Sequence, residues 1–212
     1  MKLQKAKKVL LILAGIFGLL AALGMLVAGL TYSLIGAAYF IGVTIYGIIS
    51  MVQISKGSTV IINDQPYEGS EGIAALLMMI IIILIIIVIA FTCLSLPGYL
   101  GFILLLIGAI LAFIGSKKNK KGTHIASIIF SSLALGPAIS YFSMAWVYTC
   151  LAIVVLLLFF TPAGWLGAGL IVGFWGTLLT FILSLLGNIF GLVAIRKEKQ
   201  LEEQQVEIQE VK

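Results

Sequence analysis

Charged side chains are missing from three long stretches of the chain, residues 9–54, 73–116 and 125–195. A bilayer core of about 30 Å takes roughly 20 apolar residues per helix, so each stretch is long enough for two or more crossings. The pattern predicts an all-α polytopic membrane protein, a bundle of six to eight apolar helical segments. Roughly seven segments are favoured, one of them re-entrant or broken.

Residues 9–30 and 33–54 read as a first pair of spans joined by a tight turn at Thr31-Tyr32. Residues 56–72 then form a polar loop. Gly57, Asn63-Asp64, Pro66, Gly69 and Gly72 are turn formers around the β-prone run Thr59-Val60-Ile61-Ile62, which predicts a small hairpin. Span counting places this loop in the cytoplasm. Residues 73–93 and 97–116 form a second pair, with an outer turn at 94–98. The run 78–89 is nearly all isoleucine and has no small residue for close helix contact, so it is expected to face lipid.

The last stretch poses a parity problem. Its length suits three spans, 123–143, 145–160 and 164–195, yet three crossings from a cytoplasmic lysine loop leave Arg196 outside. Three solutions stand open: an external C-terminus, a segment 123–143 broken around Gly136-Pro137, or a short re-entrant arm at 161–176. A weak internal echo bears on the choice. Residues 102–110, ahead of Lys117, match 181–189, ahead of Arg196, as duplicated transporter halves do. A true repeat favours a cytoplasmic Arg196.

With 62% hydrophobic residues, the chain lies outside soluble composition, where apolar residues make up roughly 45–50%. It reads as one transmembrane helical domain, 1–195, with a short polar helical tail, 196–212. The first apolar run is too long for a signal-peptide core and is expected to be retained as a span. Positive charge collects in clusters at the ends of apolar runs, Lys2 to Lys8, Lys117 to Lys121 and Arg196 to Lys199, a topology signal rather than a nucleic-acid footprint. It sets a multi-pass cell-membrane protein with a cytoplasmic N-terminus. Cys93 and Cys150 sit apart at membrane depth and give neither a disulfide framework nor a metal set.

Candidate chemistry is sparse. His124 is the only histidine, with Ser127 and Ser131 at helical spacing. A Ser–His pair needs a strained nucleophile turn and an oxyanion hole, and no motif supplies either, so an interfacial histidine is expected. Asn188 is the strongest polar residue in the deep apolar region, and Gly187 and Gly191 flank it in a Gly-x-x-x-Gly pattern. That pattern predicts close helix packing with an amide hydrogen bond across, worth about 1 kcal/mol; a substrate contact is the alternative. Ala14, Gly18 and Ala22, and Gly164, Ala168, Gly169 and Gly173, mark further packing faces. Trp146, Tyr148, Trp165 and Trp175 read as an interfacial belt. Lys117, Lys118, Lys120 and Lys121 are candidate contacts for lipid headgroups. In the tail, Leu201, Ile208 and Val211 form a narrow stripe suited to a partner helix.

These residues predict no catalytic centre, no metal, no cofactor and no nucleic-acid partner. The expected partners are the bilayer and another membrane protein, met through small-residue helix faces or the tail. The leading expectation is a non-enzymatic accessory, immunity or stress, or partner-binding subunit, because ion-coupled transport usually places ionisable groups in the spans. The alternative is a channel or transporter for a neutral or amphipathic solute or lipid, its path lined by carbonyls freed near Gly136-Pro137 or 162–169.

Overall fold

The computed structural model describes residues 2–62 and 65–210. Helices dominate: α1 (Lys2–Ser55), α2 (Gly69–Lys117), α3 (Lys121–Leu133), α4 (Leu135–Ser140), α5 (Phe142–Cys150), α6 (Ala152–Leu157) and α7 (Pro162–Glu210). The ranges Leu3–Ser55, Gly69–Lys117, Lys121–Ser140 and Pro162–Gln205 are long and apolar enough to cross a membrane. Seven helices are thus present among the described residues, but they are not the seven spans that the apolar pattern predicts.

Two expected turns are absent. Thr31-Tyr32 lies inside α1, and residues 94–98 lie inside α2. Neither site offers the backbone freedom a reversal needs: the glycines with positive φ are Gly57 (95°) and Gly69 (56°), and they bracket the real reversal. Gly57 follows α1, where its N–H bonds Ile54 O at 3.0 Å and that of Ser58 bonds Gln53 O at 3.2 Å. Pro97 is carried within α2 without ending it. The span count that put the 56–72 loop in the cytoplasm therefore no longer follows. The hairpin expected in that loop is present: β1 (Val60–Ile62) pairs antiparallel with β2 (Gln65–Tyr67), Ile61 opposite Pro66. Asn63 and Asp64 lie outside the described residues.

The three-span partition of the last stretch is also corrected. Helices α3 to α6 follow one another through single residues, Ala134 (φ −66°, ψ −19°), Tyr141 (−99°, 3°) and Leu151 (−99°, 26°), whose backbones stay close enough to helical to bend the chain without reversing it. Pro137 explains the first break, because it has no N–H for the carbonyl of Leu133. The reversal comes only after α6, and Pro162 then opens α7 at the position proline favours. Thr161 caps it, its Oγ1 accepting from Gly164 N at 3.3 Å. No re-entrant arm interrupts α7, which also runs on past residue 195 as one helix.

Contacts divide the chain into two units, 1–29 with 97–212, and 30–96. In the first, α7 packs along α3, α4, α5 and α6 in turn. Its core includes Leu11, Ala14 and Ala112, with Leu183 against them. Small residues let α1 and α7 approach backbone to backbone: a Cβ on Gly24 would lie 2.5 Å from Gly173 N and 3.0 Å from Gly169 O. The second unit pairs the remainders of α1 and α2 through Ile54, Leu76 and Ile80, with Tyr39 stacked on Phe91 at 5.7 Å. Most of its isoleucines, Ile81, Ile82, Ile85 and Ile86 among them, are exposed.

Candidate functional site

The polar residues of α3 and α7 meet inside the first unit. His124, Ser127 and Ser131 recur three and four residues apart on α3 and share its buried face. Thr177, Thr180, Ser184 and Asn188 make the matching buried stripe on α7. Thr177 and Thr180 return their hydroxyls to their own helix, at the carbonyls of Gly173 and Gly176. Ser184 and Asn188 bond across to α3.

Asn188 is the hub. Its Nδ2 donates to Ser184 O at 2.7 Å, Ser184 Oγ at 3.0 Å and Ser127 Oγ at 3.1 Å, while Oδ1 lies 2.8 Å from His124 Nδ1. The backbone carbonyl of Ser184 can only accept, which assigns the amide nitrogen to that side and the amide oxygen to the histidine. Nδ1 must then carry the ring proton. Ser131 Oγ donates to Ser184 Oγ at 3.1 Å, and the hydroxyls of Ser127 and Ser184 lie 3.2 Å apart. His124 Nε2 alone, among buried side-chain nitrogens and oxygens of the described residues, has no partner.

This geometry fills out the expectations for both residues. His124 is fully enclosed by protein, because the ring closes on the face of α7 that lacks a side chain at Gly191. A Cβ there would lie 2.5 Å from Cε1 and 2.7 Å from Nε2, and one on Gly115 of α2 would lie 3.4 Å from the ring. The Gly-x-x-x-Gly pattern therefore serves two different neighbours. Gly187 makes room for Leu11 of α1, whose Cδ2 would be 2.8 Å from an added Cβ, and Gly191 makes room for the imidazole. Ser184 and the His124–Asn188 bond went unforeseen. Their signal was available as two stripes, 124-127-131 and 177-180-184-188, that share helical spacing.

Chemically the arrangement is closed. His124, Ser127, Ser131, Ser184 and Asn188 are each 2% exposed or less, and no carboxylate among the described residues joins them. With the ring proton on Nδ1, the nitrogen that could act as a base is Nε2, and no hydroxyl or thiol of the described residues reaches it, so no nucleophile–base dyad is assembled among them. No three His, Cys, Asp or Glu side chains come together among the described residues. Cys93 and Cys150 are exposed and separate.

A second polar assembly occupies the end of the same unit where the basic clusters meet. Lys7 Nζ donates to Asn119 Oδ1 at 2.7 Å, Asn119 Nδ2 donates to Glu198 at 3.0 and 3.2 Å, and Gln4 Nε2 donates to Glu198 Oε1 at 2.6 Å. The N-terminal lysines, the lysine loop and the start of the Arg196 cluster thus share one end of this unit. Lys117 ends α2, Lys118 and Lys120 lie in the linker and Lys121 opens α3, all four exposed. Of the four aromatic residues read as a belt, two meet: Trp146 lies 5.9 Å from Trp175, and Trp175 Nε1 donates to Thr149 Oγ1 at 2.9 Å. In the tail Leu201 is exposed, whereas the Ile208 side chain and Val211 lie outside the described residues.

No family model matches the chain, and neither a curated protein nor a solved structure matches it.

Proposed function

We propose that the chain is a non-enzymatic, multi-pass subunit of the cell membrane, with N-terminus and Arg196 cytoplasmic, that works by binding another membrane protein. The observation that carries this reading is the closed polar cluster. Its hydroxyls and its amide are spent on bonds between α3 and α7, which leaves the deepest polar groups to hold helices together. What the protein offers to others is its apolar exterior, including the exposed isoleucines of α2. The cytoplasmic assignment follows from the lysines of α1 and of the 117–121 loop at one end of the bundle, since basic segments are retained inside.

Purification of the tagged chain from its native membrane in mild detergent tests this reading. A partner recovered in fixed stoichiometry is the expected result. A lone chain that moves a neutral solute or lipid in proteoliposomes faster than empty vesicles do would establish the channel or transporter instead.

A further inference from the structure

Beside the Lys7–Asn119–Glu198 chain of hydrogen bonds lies a cleft of about 400 Å³ lined by Gln4, Lys7, Lys8, Ser116, Lys117 and Asn119. We propose that this cleft is a binding site for a phosphate-bearing anion, occupied in the membrane by the headgroup of an anionic lipid. The decisive residue is Lys7. It is only 5% exposed, yet its ammonium has a neutral amide oxygen as its hydrogen-bond partner and no carboxylate within ion-pair distance among the described residues. An ammonium partly withdrawn from solvent with only a neutral partner gains from a counter-ion, and the cleft is where one fits.

The remaining groups agree in sign. Lys8 and Lys117 line the same cleft, so three ammonium groups face one nearby carboxylate, that of Glu198. Glu198 is already engaged by the amides of Asn119 and Gln4, which hold it beside Lys7 without closing on it. Ser116 gives its hydroxyl to the carbonyl of Phe113 and adds no negative charge. The cleft also sits where the uncharged stretches of α1 and α2 end, at Val9 and Ser116, the depth at which lipid phosphates lie if these helices span a bilayer. That lipid source rests on the membrane reading above, whereas the anion site does not. The site differs from the surface loop that the lysine cluster suggests: Lys117 belongs to it, and Lys118, Lys120 and Lys121 do not line it.

The test uses the full chain in a neutral detergent, with short-chain phosphatidylglycerol, phosphatidylcholine of the same chains, and inorganic phosphate as separate probes. Binding is read by native mass spectrometry and by the shift in thermal unfolding. Phosphatidylglycerol is expected to bind more tightly than phosphatidylcholine, and Lys7→Gln and Lys117→Gln are each expected to weaken it about five-fold, the effect of one basic residue near a phosphate. Lys118→Gln, outside the cleft, should change it less than about two-fold on the same scale. If Lys7→Gln fails to fold, the exposed Lys117 carries the comparison with Lys118. Inorganic phosphate that binds and is lost with the same two variants supports the site and assigns it to a free anion. Equal binding of the two lipids without phosphate binding, or equal losses in Lys117→Gln and Lys118→Gln, would overturn the proposal.

Discussion

Asn188 shows how much one amide can hold. Replacing it with leucine leaves the buried Nδ1–H of His124 without an acceptor and takes a donor from Ser127, both residues being fully buried. The expected cost is about 2 kcal/mol, above the average of about 0.6 for a hydrogen bond between membrane helices, because a buried donor is stranded. Adding His124→Leu removes the stranded group, so the double variant should lose less than the sum of the singles, as denaturant unfolding in detergent can measure. Additive losses would mean that the His124–Asn188 bond contributes nothing. Glycines at the same contact give a second, graded expectation. Gly191→Ala pushes a Cβ to 2.5 Å from an enclosed, rigid imidazole and should cost about 1–3 kcal/mol, whereas at Gly187 the nearest atoms, Leu11 Cδ2 and Cγ at 2.8 and 2.9 Å, leave more room and belong to a side chain that can rotate, and the cost should be smaller. Gly136→Ala meets nothing within 4 Å and should be neutral or slightly stabilising. Thermal unfolding of the three variants checks the order.

Among the elements, what the amino-acid pattern could convey was uneven, for physical reasons. Strong local chemistry was legible: the hairpin in the polar loop follows from turn residues around a β-prone run, and Pro137 marks the break between α3 and α4. Length was not. An uncharged stretch long enough for two crossings looks the same whether or not the chain reverses within it, and only the absence of a turn former at Thr31-Tyr32 distinguishes the continuous α1. The polar cluster was half legible, since Asn188 stands out in an apolar run while Ser184 is ordinary in a membrane helix until His124 and Ser131 are seen to face α7. Because α3 to α6 run away from the basic end and α7 returns to it, residues 120 and 205 should lie on one side of the membrane. In a cysteine-free background, Lys120→Cys and Gln205→Cys should both be protected from an impermeant thiol reagent in intact cells and labelled after permeabilisation. Labelling of only one in intact cells would refute the pairing of α3–α6 with α7.

For the whole molecule, interior and exterior divide the work. The serine hydroxyls and the amide of the cluster are bonded within it, and many apolar side chains are exposed on helices that a bilayer or another protein can cover. Stability and partner binding should therefore separate by position. Substitutions in the cluster should lower the amount of folded chain and carry binding down in proportion, while exposed substitutions should spare folding and reduce binding alone. The most direct measurement is recovery of a partner from native membrane, per folded chain, for wild type, Asn188→Leu and tryptophan substitutions at exposed positions such as Ile82 and Ile86. A stoichiometric partner kept by Asn188→Leu, and lost on tryptophan substitution at one or more exposed positions, is the predicted result. A fully folded Asn188→Leu chain that has lost its function, with no partner recovered from any form, would contradict it and make the His124–Asn188 cluster a working site.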